Sequence, residues 1–215
     1  MVESESERFS RVFAVIPAAG LSRRMGDPKL LLTLGGRTVI RRLLDALRDA
    51  SVEERIVVCR RDDDALRSEI EAAGATAVQP DVDPPDMRTS VEHALQYLCE
   101  TNSPEPDDGW LLSPADHPVL NAAVLREVIN GWRTTTACIL VPTFHGKRGH
   151  PTVFRWSLAE AVFEIPADRG LNDLLQRFAA DVQELPVDDS CVLTDLDTPE
   201  DFAEQQRRFG DDQSL

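Results

Sequence analysis

Pro17-Ala18-Ala19-Gly20-Leu21-Ser22-Arg23-Arg24-Met25-Gly26-Asp27-Pro28-Lys29 gathers a hydroxyl, two guanidinium groups and an ammonium around two glycines. Ser22, Arg24 and Lys29 hold phosphate oxygens in three different ways: as a hydroxyl donor, a planar fork and a compact charge. The apolar run Val12-Phe13-Ala14-Val15-Ile16 leads straight into this loop. A strand ending in such a loop turns backbone N–H groups toward an anion, and in an open α/β sheet ligands collect beyond the carboxyl ends of the strands. A nucleotide or another phosphoester suits these residues. So does an ordinary strand-to-helix turn with solvated arginines, and the rest of the chain must discriminate.

Spacing removes two familiar loops. A Walker A loop has four residues between its glycines and then Lys-Ser or Lys-Thr, whereas five separate Gly20 from Gly26 here and Asp27 follows. A dinucleotide fingerprint needs GxGxxG opening a helix, but position 22 is Ser22 and Pro28 interrupts a helix starting there.

Ser113-Pro114-Ala115-Asp116-His117-Pro118 follows a second apolar run, Trp110-Leu111-Leu112. If the two runs are parallel strands, Asp116 shares a sheet edge with the Gly20 loop. A carboxylate facing a phosphate site calls for a cation between them, and magnesium is commonly held by one or two carboxylates plus substrate phosphates. Taken alone, Asp116 also reads as a turn residue ahead of Pro118. A third loop, Gly146-Lys147-Arg148-Gly149-His150-Pro151, is basic. Its Lys147 and Arg148 suit a second anion or a solvated turn, and His150 suits a ligand, an acid or base, or a loop histidine bonded to backbone.

The elements that must position these loops alternate along the chain. Strands are expected at 12–16, 56–59, 76–78, 110–112 and 139–141. Helical stripes are expected at 39–47, 63–73 (stopped by Gly74), 90–99, 122–132, 158–163, 171–178 and 199–209. Strands alternating with helices imply a largely parallel sheet covered on both faces, an α/β fold. At 215 residues, 42% of them hydrophobic, the chain suits one domain. We expect that domain over 11–209, with tails at 1–10 and 210–215.

Lys and Arg number 23 against 38 Asp and Glu, a net charge of -15, and that field opposes a nucleic-acid backbone. The positive balance of the Gly20 loop runs against this trend, as a dedicated anion site would. Cys59, Cys99, Cys138 and Cys191 form no CxxC pair and no zinc spacing, and read as buried thiols in a reducing compartment. No apolar stretch reaches membrane-spanning length and no signal-peptide core opens the chain, so a cytoplasmic location without membrane partners is expected.

The ordered set of the Gly20 loop with Lys29, Ser90, Asp116, Arg148-Gly149-His150-Pro151, Asp168-Arg169-Gly170 and Asp195-Leu196-Asp197-Thr198-Pro199-Glu200-Asp201 resembles the MobA-like nucleotidyltransferases. Within them it is most similar to the molybdenum cofactor cytidylyltransferase branch, over about residues 11–209. The resemblance implies a Rossmann-like three-layer α/β/α domain, Mg2+ as cofactor, and transfer of NMP from an NTP, CTP favoured, onto a small phosphorylated acceptor with release of pyrophosphate. Molybdopterin is the implied acceptor, with a protein partner that receives the finished cofactor.

Carried over by position, Ala18, Ala19 and Gly20 line base and ribose, Ser22, Arg24 and Lys29 hold the triphosphate, and Ser90 contacts the base. On the residues alone, Ser90 also reads as a helix cap. Asp116 is the implied principal metal ligand. Asp195 or Asp197 is a second carboxylate, Asp197 also being a candidate helix cap. Arg148, His150 and Asp168 face the acceptor. An Ala-Ala pair before the glycine resembles the CTP form, a methyl at position 19 narrowing the pocket toward a pyrimidine. Catalysis then rests on Arg24, Lys29 and Asp116, with no general base because the acceptor phosphate is already ionised. The Ser113 to Pro118 loop and Asn172, where the family often carries Arg, depart from its pattern. Two alternatives stay open: another acceptor, such as methylerythritol phosphate or a sugar phosphate, or a regulatory module that binds a nucleotide without turnover.

Overall fold

The computed structural model describes residues 10–20 and 28–211. Ser22, Arg23 and Arg24 therefore lie outside the described residues, as does most of both expected tails.

Apolar alternation builds the central strand. In β1 (Val12–Pro17), Val12, Ala14 and Ile16 face one apolar cluster while Phe13 and Val15 face the other, the two-residue period that a strand buried on both faces requires. β1 pairs in parallel with β4 (Glu54–Val58) and with β6 (Gly109–Leu112), and β4 pairs in parallel with β5 (Thr76–Val78). The short strands β2 (Thr33–Leu34) and β3 (Arg37–Thr38) form a separate hairpin. Beyond β6 the sheet continues through β9 (Thr152–Arg155), β7 (Ile139–Phe144) and β10 (Val182–Pro186), in the order β10-β7-β9-β6-β1-β4-β5, with β8 (Lys147–Arg148) beside β7. Only β8 and β9 run against the rest. The sheet is thus mostly parallel, as the alternation of elements implies.

Helices cover both faces. α1 (Val39–Asp49), α2 (Asp64–Ala72) and α4 (Ala122–Thr134) bury Leu43, Ile70 and Trp132 in the first cluster, joined by Phe202 and Phe209 of α7 (Pro199–Asp211). α3 (Met87–Asn102), α5 (Ala159–Phe163) and α6 (Asn172–Arg177) bury Leu95, Val162 and Leu174 in the second. α7 runs two residues into the expected C-terminal tail, and Phe209, near its end, lies under the Arg42 guanidinium at 3.6 Å.

The register of β1 against β6 is fixed at their starts. Arg11 donates from its backbone N–H, Nε and Nη2 to the Asp108 carboxylate at 2.9, 3.1 and 2.7 Å, a bidentate fork that adds geometric specificity to the strand ladder. On the other side of β6, Trp110 stacks on its register partner Phe154 at 4.2 Å.

β8, β9 and β10 were not expected as strands. β10 reads Val-Gln-Glu-Leu-Pro, is exposed along most of its length and lies at the sheet edge, where polar residues and a terminal proline are tolerated because one side has no ladder to complete. β9 reads Thr-Val-Phe-Arg, too short to show an alternation that would mark it.

Gly109 opens β6 where a Cβ would lie 2.7 Å from Trp132 Nε1 and 3.1 Å from Val153 Cγ1. Gly109→Ala is expected to destabilise the fold by about 1–3 kcal/mol through overpacking, read as a lower urea midpoint with an unchanged m-value.

Candidate functional site

Parallel pairing of β1 with β6 opens both carboxyl ends on one edge of the sheet. Beyond β1, the Ala18 N–H donates to the Val58 carbonyl at 2.8 Å and extends the ladder by one residue. Ala18 itself is buried in the first apolar cluster, where its methyl packs. Ala19 is half-buried and Gly20 exposed, and none of the described residues lies within 4 Å of where a Cβ would stand at Gly20.

Lys29 opens a short 3-10 turn, Lys29–Leu31, and its ammonium is enclosed by oxygens. Nζ donates to Asp116 Oδ2 at 2.6 Å, to the Leu196 carbonyl at 2.8 Å and to Asp197 Oδ1 at 3.4 Å. The pair is mostly shielded, with side-chain exposures of 16% for Lys29 and 21% for Asp116. Backbone joins the same segments, since the Leu196 N–H donates to the Asp116 carbonyl at 3.0 Å. Next along the chain, Thr198 and Asp201 cap α7 reciprocally: Thr198 N–H donates to Asp201 Oδ2 at 2.8 Å and Asp201 N–H to Thr198 Oγ1 at 3.2 Å. This cap and Pro199 fix where the chain leaves the 195–197 turn.

Of the two carboxylates expected as partners of Asp116, Asp197 is the one that contacts Lys29. Burial, then the charges of Asp197 and Asp116, hold the Asp195 carboxyl above its usual range. Among the described residues, the Lys29 ammonium faces more carboxylates than it can balance at this edge. Oxygen donors with an excess of negative charge are the chemistry a magnesium ion prefers, and they fit that ion. Among the described residues no three His, Cys, Asp or Glu side chains form a metal cluster.

The other expected site residues are dispersed. Arg148 donates through Nε to Glu184 Oε1 at 2.8 Å across the edge from β8 to β10, both side chains about half exposed. Asp168 is exposed between α5 and α6, outside the Lys29 cluster, while its neighbour Arg169 pairs with Asp173 at 2.8 Å. Ser90 is buried inside α3, and its hydroxyl donates to the Asp86 carbonyl at 3.2 Å. It is not the helix cap, for Asp86 takes that place by accepting from the Thr89 N–H at 2.8 Å.

His150 lies against His117, the residue after Asp116. Their rings meet edge to face with centroids 5.4 Å apart, and Nδ1 of each is buried without a hydrogen-bond partner among the described residues. The bare sequence offered no means of pairing two histidines so far apart in the chain, nor of finding the Leu196 carbonyl. Asp197 had a signal in its two-residue spacing from Asp195.

Residues 14–184 match the model of the MobA-like NTP transferase domain. The chain belongs to this family. Its MobA-like fold is close to that of Rv0371c from Mycobacterium tuberculosis, at 28% identity and TM-score 0.77, covering 92% of this chain and 99% of that one. A second Rv0371c structure, in complex with manganese, matches at 26% identity and TM-score 0.73, again covering 92% and 99%. Among curated relatives, the 2-C-methyl-D-erythritol 4-phosphate cytidylyltransferase of Pseudomonas aeruginosa is 34% identical over 119 residues, 54% of this chain and 50% of that protein. The chain thus spans about half the length of the curated relatives it matches most strongly. No helix among the described residues is long and apolar enough to cross a membrane.

Burial, then the neighbouring His117, lowers the His150 imidazole from 6.5 to about 4, and burial lowers His117 as well. An unfolded histidine takes its proton near pH 6.5, so the unfolded chain protonates first on acidification. Stability present above that pH is lost as pH falls from about 6.5 toward about 4, on the order of 3 kcal/mol for His150. Urea unfolding at stepped pH is expected to show this decline, and His150→Phe to flatten it.

Proposed function

We propose that this nucleotidyltransferase moves CMP from CTP onto a small phosphorylated acceptor, using a divalent cation at Asp116. The observation that carries this reading is the enclosure of Lys29 by Asp116, Asp197 and the Leu196 carbonyl at the carboxyl edge of the parallel sheet. An acceptor phosphate oxygen attacks the α-phosphorus in line, a new P–O bond forms, and the bond to the β-phosphate oxygen breaks with its electron pair leaving on pyrophosphate.

Asp116 and Asp197 would hold magnesium, with Asp195 adding negative charge that both of them feel. When bound, magnesium supplies charge neutralisation for the phosphates. Lys29 brings a fixed positive charge to the leaving pyrophosphate, and Arg24 and Ser22 take the roles given by their positions in the family motif. Each acts by position and charge, and no side chain is asked to form a covalent bond. The manganese complex of Rv0371c supports a divalent cation. The Pseudomonas cytidylyltransferase and the methyl of Ala19 support CTP over a purine nucleotide.

Two acceptors are weighed against each other. Arg148-Gly149-His150-Pro151 supports molybdopterin through the resemblance of that motif, and the Pseudomonas relative supports methylerythritol phosphate. Pyrophosphate release measured with magnesium, each NTP in turn and each of these acceptors tests the reading. Turnover is expected with CTP and one acceptor. Tight NTP binding without release against any acceptor would instead mark a non-catalytic nucleotide-binding module.

Asp116→Ala is expected to lower release by at least about 10²-fold, with an unchanged circular dichroism spectrum. Lys29→Ala should fall by a similar factor. Undiminished turnover in Asp116→Ala removes that carboxylate from the mechanism.

A further inference from the structure

The Gly149-His150 step is tied to both carboxylate-bearing segments of the site while touching neither carboxylate. On one side, the His150 N–H donates to the Val192 carbonyl at 2.8 Å. At Gly149 the backbones approach so closely that an added Cβ would lie 2.3 Å from the Val192 oxygen and 2.8 Å from its carbonyl carbon. Val192 belongs to the 3-10 turn Ser190–Leu193 and is fully buried, as is Leu196 four residues later. The same turn is held from its other end, where Asp189 accepts from the Cys191 N–H at 2.8 Å and from Asn121 Nδ2 at 2.9 Å. Directly after it come Asp195, the Leu196 carbonyl and Asp197.

On the other side, the His150 ring packs edge-on against His117, whose neighbour is Asp116. Gly149 is itself fixed to the sheet, its N–H donating to the Pro142 carbonyl of β7 at 2.8 Å. The step therefore stands between the Asp116 loop and the 195–197 turn, braced against a strand. A substitution there would change the spacing of the two segments without removing any group that meets Lys29.

We propose that Gly149 and His150 are positioning residues: a clasp that sets the separation of Asp116 from the Asp195 to Asp197 turn, and so the fit of the cation site. Glycine is required because only a bare Cα admits the Val192 carbonyl. His150 acts through its backbone N–H and the shape of its ring, and the ring's hydrogen bond to the Leu112 backbone is dispensable to the clasp. This assigns the Arg148-Gly149-His150-Pro151 loop, at these two positions, a task inside the metal site in place of contact with the acceptor. The metal arm of the test below rests on the proposed cation site; the clasp itself does not.

The test uses the full chain as wild type, Gly149→Ala, His150→Ala and His150→Phe; all three variants keep the backbone N–H at 150, and the last also keeps an aromatic ring. Two quantities are read. Hydrogen exchange of the segment 193–198 reports whether the turn stays seated, with the buried segment 43–47 of α1 as a control for global unfolding. Electron paramagnetic resonance titration of Mn2+ in the presence of CTP reports the cation site, and CTP binding in excess chelator reports the nucleotide site alone.

Gly149→Ala and His150→Ala are expected to exchange faster at 193–198 with 43–47 unchanged, and to bind Mn2+ about tenfold more weakly, with metal-free CTP binding unaltered. His150→Phe is expected to return both readouts to within about twofold of wild type. Unchanged exchange at 193–198 in the alanine variants overturns the clasp, and so does a His150→Phe protein that behaves as His150→Ala, which would mean the ring nitrogens matter. If Gly149→Ala does not fold, the two His150 variants decide alone. Failure of wild type to bind Mn2+ with CTP overturns the cation reading of the site, and the exchange measurement then still decides the clasp.

Discussion

One ammonium draws together three parts of the chain that have no sequence proximity. Lys29 follows the first loop, Asp116 follows β6, and Leu196 with Asp197 lies just before the last helix. The attraction between Lys29 and Asp116 at 2.6 Å is strengthened by the exclusion of water from most of both side chains. It is nevertheless insufficient on its own. Two further carboxylates crowd the same edge, and burial first, then the charges of Asp197 and Asp116, push the Asp195 carboxyl above its usual range. Among the described residues the site therefore carries a surplus of negative charge, which the apolar core beneath it must hold in place.

The core does so through the sheet. Parallel pairing of β1 with β6 is what makes two distant loops neighbours, and the Arg11–Asp108 fork with the stacked Trp110 and Phe154 keeps β6 from slipping relative to either neighbour. A slip of one residue would turn the buried side chains of β6 to the opposite face. Helices on both faces then leave the carboxyl edge as the open face where loops meet solvent.

Much of this was readable before any coordinates. The strands β1, β4, β5 and β6 announce themselves as apolar runs between glycine, proline and charge, and the stripe of Val39, Leu43, Leu44 and Leu47 does the same for α1. Lys29 and Asp116 were singled out by type and position, and they meet. The far half of the sheet was harder, because β10 is a polar edge strand and β9 runs against its neighbours, so neither carries the pattern of a buried parallel strand. Roles that depend on direction were harder still. Nothing in the residue type tells that Ser90 donates back into its own helix, that Arg148 turns to Glu184, or that His150 packs against His117. Those contacts are products of three-dimensional proximity, which composition and spacing do not encode one residue at a time.

The oxygen that Leu196 lends to Lys29 belongs to the main chain. Its side chain is wholly buried and serves a separate end, anchoring the turn in the core. Any apolar residue able to fill that space would present the same carbonyl, so this part of the site is inherited through shape and not through spelling. Two relatives could share it with different letters at the position, and a comparison of sequences would register only a tolerated change in the interior.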